Sequence, residues 1–190
     1  MQAISKFVVG KGSFRLEYNT IDADGLRDYI ILHSQYNLVR EGMQSRENYF
    51  VPPNQSLNDI PRDIENLYFG GFENEENITA LDFSSFGFTQ LRAIRIGGNC
   101  FRNVREFILE GLEQLETIKI GDKCFVISNE EREDGICRIT NCPKLRQIEI
   151  GFVGFIDFKK FELSIVNSLQ TIEFDQGCFT YADQFVLKGR

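Results

Sequence analysis

One phrase returns four times in the second half of the chain, and it leaves few folds open. LRAIRIGGNCF (91–101), LETIKIGDKCF (115–125), LRQIEIGFVGF (145–155) and LQTIEFDQGCF (169–179) share the pattern L-x-x-I-x-I-G-x-x-C-F. Their first residues, Leu91, Leu115, Leu145 and Leu169, are spaced by 24, 30 and 24 positions. A unit this short cannot bury its apolar side alone. It has to stack on the next, so the repeat predicts an array built layer by layer.

Within a unit the alternation I-x-I predicts a short strand with both isoleucines inward and the residue between them facing solvent. A second alternation follows in each unit: Phe107-x-Leu109, Cys137-x-Ile139, Phe161-x-Leu163 and Phe185-x-Leu187. It predicts a second strand and a second ladder on another face. The six extra residues of the second unit fall in SNEERED (128–134), which has to loop out because burying it would strand several charges. IENLYFG (64–70) matches the strand phase, with Leu67 and Phe69 standing where Ile94 and Ile96 stand later, and reads as a degenerate first unit. Residues 64–190 thus hold about five units. Residues 1–63 read as an N-terminal capping region: a hairpin over 6–18, a helix or a strand over 26–38, and an irregular proline-rich link over 51–64. The last unit is followed by no polar capping unit, so the C-terminal end reads as uncapped, either a fragment boundary or an end open to end-to-end self-association.

The motif resembles leucine-rich repeats, and in particular the BspA-like class, whose units read I-G-x-x-A-F. The resemblance covers about residues 64–190. It implies a mainly β, leucine-rich-repeat solenoid with two short parallel strands per repeat and an N-terminal capping region. It also implies a binding or adhesive module with no shared catalytic chemistry. The asparagine position common in such repeats is Asn99, Lys123, Val153 and Gly177 here, so the usual asparagine ladder is absent.

Composition supports a stacked apolar core: 18 Phe, no Trp, two Met and one His. Cys100, Cys124 and Cys178 fall at one phase of the repeat, with Gly154 in the third unit, which points to a small buried slot. Adjacent phases lie about 4.8 Å apart, so distance alone leaves a Cys100–Cys124 disulfide open. The odd total of five and the lack of a C-x-x-C pair favour reduced core thiols. Cys137 and Cys142 align with Phe107 and Leu112 of the preceding unit and read as core substitutions rather than metal ligands.

The outward residues of the first ladder form a column of Tyr68, Arg95, Lys119, Glu149 and Glu173, flanked by Arg92 and Arg146. Neighbours in such a column are about 4.8 Å apart, so Lys119 should face Glu149. The column reads either as solvated sheet decoration or as a recognition surface anchored by Tyr68 and Arg95, residue types favoured at binding hot spots. Catalytic readings are weaker. His33 is the single histidine and lies outside the repeats, buried thiols are inert, and no phosphate-loop or metal-ligand spacing occurs. No cofactor is expected. A formal charge of −7 argues against a nucleic-acid surface, and no apolar run approaches the ~20 residues of a membrane helix. The absence of a signal-peptide pattern points to the cytoplasm, with the cell surface or secretion as the alternative for a fragment of a longer chain. Sequons at Asn54 and Asn77 would matter only there. The expected function is a non-catalytic protein-protein interaction module binding a protein partner on the exposed strand face. The alternative is a structural or adhesive spacer of a larger surface protein.

Overall fold

The computed structural model describes residues 47–51, 55–70, 72, 77–127 and 135–188. The hairpin expected over 6–18, the ambiguous segment 26–38 with His33, the sequon at Asn54 and the charged loop 128–134 lie outside the described residues.

The fold is mainly β and consists of two parallel sheets, with no α-helix among the described residues. Each full repeat contributes one strand to each sheet. The first sheet runs β1 (Asn48–Val51), β2 (Asn66–Phe69), β4 (Ala93–Ile96), β6 (Thr117–Ile120), β8 (Gln147–Ile150) and β10 (Thr171–Phe174). The second runs β3 (Ala80–Asp82), β5 (Glu106–Glu110), β7 (Gly135–Thr140), β9 (Phe158–Ser164) and β11 (Gln184–Lys188). All pairings are parallel, and apart from a bulge where Gly135 pairs Phe158 and Ile136 pairs Lys160 they keep the register of the sequence repeat, so each strand lies beside its equivalent in the next unit. β1 joins the first sheet through Asn48↔Asn66 to Val51↔Phe69, so the sheet reaches into the segment the sequence assigns to the capping region.

Period-two alternation decides which side chains go inside. Ile94, Ile118 and Ile148 are fully buried in one ladder, each worth about 1.5–3 kcal/mol of apolar burial. The facing ladder of the second sheet is Leu81, Phe107, Cys137, Phe161 and Phe185. Between the sheets runs a spine of the repeat's terminal phenylalanines. Phe101 and Phe125 stack at 5.5 Å, Phe125 and Phe155 at 4.3 Å, and Phe155 and Phe179 at 5.1 Å. Such ring pairs contribute about 0.5–1.5 kcal/mol beyond their area.

The turn that closes each unit explains the rest of the motif. Its glycine follows the strand because the turns stack backbone on backbone: a Cβ on Gly121 would lie 2.7 Å from the amide nitrogen of Gly98. Two residues further on, Asn99, Lys123, Val153 and Gly177 have φ of 59°, 55°, 59° and 83°. The phenylalanines after the cysteine slot are left-handed as well, at 61°, 56°, 53° and 51°. Left-handed backbone costs an L-residue about 1–2 kcal/mol, which burial of a phenylalanine outweighs.

All five cysteines are free thiols. Cys100, Cys124, Cys137 and Cys142 are buried, as the phase argument expects, whereas Cys178, at the slot position of the last unit, is only half-buried. Gly154 replaces the cysteine in the third unit because the slot narrows there: a Cβ would sit 2.5 Å from Cγ2 of Ile150.

Candidate functional site

The register of the first sheet brings the predicted column together. Tyr68 pairs with Arg95, Arg95 with Lys119, Lys119 with Glu149 and Glu149 with Glu173. Lys119 Nζ lies 3.2 Å from Glu149 Oε2, and Gln147 donates to the other Glu149 oxygen. Glu173, on the edge strand, is exposed.

Arg92 and Arg146 lie one residue before their strands, in a second column. Glu116 N–H donates to Arg92 O at 2.7 Å, and Arg146 N–H donates to Glu116 O at 2.9 Å. Arg92 is exposed and sits 4.0 Å from Glu65 and 3.9 Å from Glu116. Arg146 is exposed.

Tyr68 departs from the expected solvent-facing column: only 3% of its surface is accessible, and its hydroxyl donates to Asn48 Oδ1 at 3.2 Å. Phe50 beside it and Ala93 are buried at the same outward phase. Arg95 stacks over the Tyr68 ring at 5.4 Å and donates to Asn66 Oδ1 at 3.4 Å. Tyr68 is therefore a packing residue, and Arg95 is tied to it. The part of the face open to a partner lies over β6, β8 and β10.

The outward face of the second sheet carries a cluster that the sequence reading overlooked. Arg138 Nε, Lys160 Nζ and Lys188 Nζ lie 3.4, 3.0 and 3.2 Å from the carboxylate of Glu162. Hydrogen bonds from Lys160 and Lys188 hold that carboxyl down at about 2. The signal was present in the second alternation, whose intervening residues are Ile108, Arg138, Glu162 and Val186, in register across four strands.

The thiols have no exposed, activated environment. Burial pushes Cys142 up to about 11, and it raises Cys124, Cys137 and Cys178 as well. Cys124 Sγ donates to Gly97 O at 3.0 Å, which holds it as a packing group. Among the described residues, no three His, Cys, Asp or Glu side chains gather as a metal site would require. No helix among them is long and apolar enough to cross a membrane.

No family model, curated protein or solved structure matches the chain.

Proposed function

We propose that the chain is a leucine-rich-repeat solenoid of the BspA-like kind, acting as a non-catalytic protein-protein interaction module. The partner binds the outward face of the first sheet over β6, β8 and β10. The observation that carries this reading is the in-register column of Lys119, Glu149 and Glu173 on an open parallel sheet. Rigid strands hold these charges about 4.8 Å apart, so the face offers a fixed pattern rather than an adaptable one. Arg92 and Arg146 extend the pattern on one side. Recognition then proceeds by shape and charge, with no covalent step. The inert thiols and the Lys119–Glu149 pair, which keeps its carboxylate occupied, favour binding over catalysis.

A charge exchange tests the reading. Lys119→Glu with Glu149→Lys retains the intrachain pair but inverts the surface pattern. Capture from native lysate identifies candidate partners, and titration of a purified partner against both proteins measures the change. A loss of about tenfold or more in affinity, with melting temperature unchanged, is expected. A partner retained equally by both proteins would move the reading to a structural or adhesive spacer.

A further inference from the structure

Each repeat passes from the first sheet to the second through an arch, and in the middle of the stack the outside of that arch is apolar. Phe152, on the turn after β8, has 40% of its surface accessible, although the equivalent places in the other repeats hold Gly98, Asp122 and Gln176. Val153 follows it, half-buried at φ 59°, where the other repeats have Asn99, Lys123 and Gly177. Further along, Val126 and Ile156 are half-buried in successive layers about 4.8 Å apart, and their equivalents are Arg102 and Thr180. The four apolar residues thus fill two adjacent layers, and polar residues or glycine hold the same places in the layers on either side. The fold asks for neither Phe152 nor Val153. One leaves an aromatic ring in water, and the other sets a β-branched residue in the left-handed region. A rimmed apolar patch that departs from the repeat in this way marks a contact surface.

Charge at the rim identifies what covers it. Arg102 lies one layer before Val126, and Lys123 lies one layer before Val153, with its N–H donating to Phe152 O at 2.7 Å. Both side chains are exposed and neither is ion-paired among the described residues. The acids stand on the side of the first sheet and are engaged. Asp122 accepts from Phe152 N–H at 2.9 Å, and Asp175 accepts from Gln176 N–H at 2.6 Å. Glu149 is held by Lys119 and Gln147, and Glu173 is exposed beside it.

From the patch and its rim together we propose that Phe152, Val153, Ile156 and Val126 receive a segment of a partner protein that sets a carboxylate beside two apolar side chains. The apolar pair covers Phe152 and Ile156, and the carboxylate lies over Lys123 and Arg102. The acids fix the direction of the segment, because a carboxylate on the other side would meet Asp122, Asp175 and Glu173. A second copy is the poorer occupant: each chain carries a formal −7, and like charge opposes association. The site lies on the arch, away from the strand face over β6, β8 and β10, and does not depend on the function proposed above.

The probe is a phage-displayed library of random short peptides, selected against the full chain. Enrichment of sequences with Asp or Glu beside paired aliphatic or aromatic residues is expected. Enriched peptides, synthesised and titrated by fluorescence anisotropy, should bind Phe152→Gln at least tenfold and Lys123→Glu at least fivefold more weakly than wild type. Gln176 already occupies this place in another repeat, so Phe152→Gln should keep the wild-type melting temperature. Lys119→Glu with Glu149→Lys should bind within twofold, which separates this site from the strand face. Peptides indifferent to Phe152→Gln, a consensus with lysine or arginine in place of the acids, or no enrichment would overturn the proposal. So would a dimer in sedimentation that Phe152→Gln dissociates, since that assigns the patch to a second copy.

Discussion

The left-handed turn position makes a test with opposite signs in two repeats. Val153 and Asn99 occupy equivalent places and share φ of 59°. A β-branched side chain is among the worst choices there, while asparagine tolerates the region because its short polar chain bonds locally. Replacing Val153 by Asn relieves about 1–2 kcal/mol of backbone strain. It also forfeits part of the burial of a half-exposed valine that packs against Gly177, about 0.8 kcal/mol. The balance is a gain of about 0.2–1.2 kcal/mol, or ~0.5–5 °C in Tm for a chain of this length. Asn99→Val should run the other way, losing about 1–2 kcal/mol. Phe155 sits at φ 53° but is fully buried, so Phe155→Asn should cost about 3–5 kcal/mol despite relieving the same strain. Thermal and urea unfolding followed by far-ultraviolet circular dichroism would measure all three. If Val153→Asn lowers Tm, or Asn99→Val leaves it unchanged, the left-handed conformation is not what selects residues at this position.

Two further outcomes follow from the turns and from the second sheet. Gly151→Ala should destabilise by about 1–3 kcal/mol, because its Cβ would overlap Asp122 Oδ1 and lie 2.8 Å from the Asp122 amide nitrogen. Asp122→Ala removes the first clash together with the hydrogen bond that Asp122 Oδ1 accepts from Phe152 N–H, so in that background urea midpoints should show Gly151→Ala costing less but still something, and no cost at all would show that the backbone contact is not limiting. Glu162, with its carboxyl lowered to about 2, binds its proton less readily folded than unfolded. Its stabilising effect is therefore present above the unfolded value near 4.5 and is lost as pH falls toward 2. The Tm difference between wild type and Glu162→Gln should be full at pH 7, mostly lost by pH 2 and gone only below it. A difference independent of pH would mean that the three cations do not act on this carboxylate.

Much of the architecture was legible because parallel stacking forces each layer to repeat the last. A period of 24 residues with I-x-I inside it fixes strand phase, inward face and register together, so Lys119 meets Glu149 and four of the five cysteines fall in the core. The buried outward corner was not legible. Tyr68 has the same phase as Arg95, and period-two alternation alone makes it a surface residue; its burial depends on what surrounds it in space. The turn position was misleading for a different reason. Asn99, Lys123, Val153 and Gly177 share no chemistry, and a side-chain pattern cannot register a requirement that belongs to the backbone. The basic cluster was missed because its members come from three strands and only register assembles them.

Register also explains why the two faces should attract different partners. Along the first sheet the open column passes from Lys119 to Glu149 and Glu173, becoming acidic toward β10. Along the second, the outward charged residues pass from Asp82, Glu106 and Glu110 to Arg138, Lys160, Glu162 and Lys188, becoming on balance basic toward β11. The two gradients oppose each other across one rigid stack, so the last layers carry negative charge on one side and positive charge on the other. A net charge of −7 conceals this, because a formal sum has no direction. A uniformly acidic ligand steered by the field of the whole chain would be repelled.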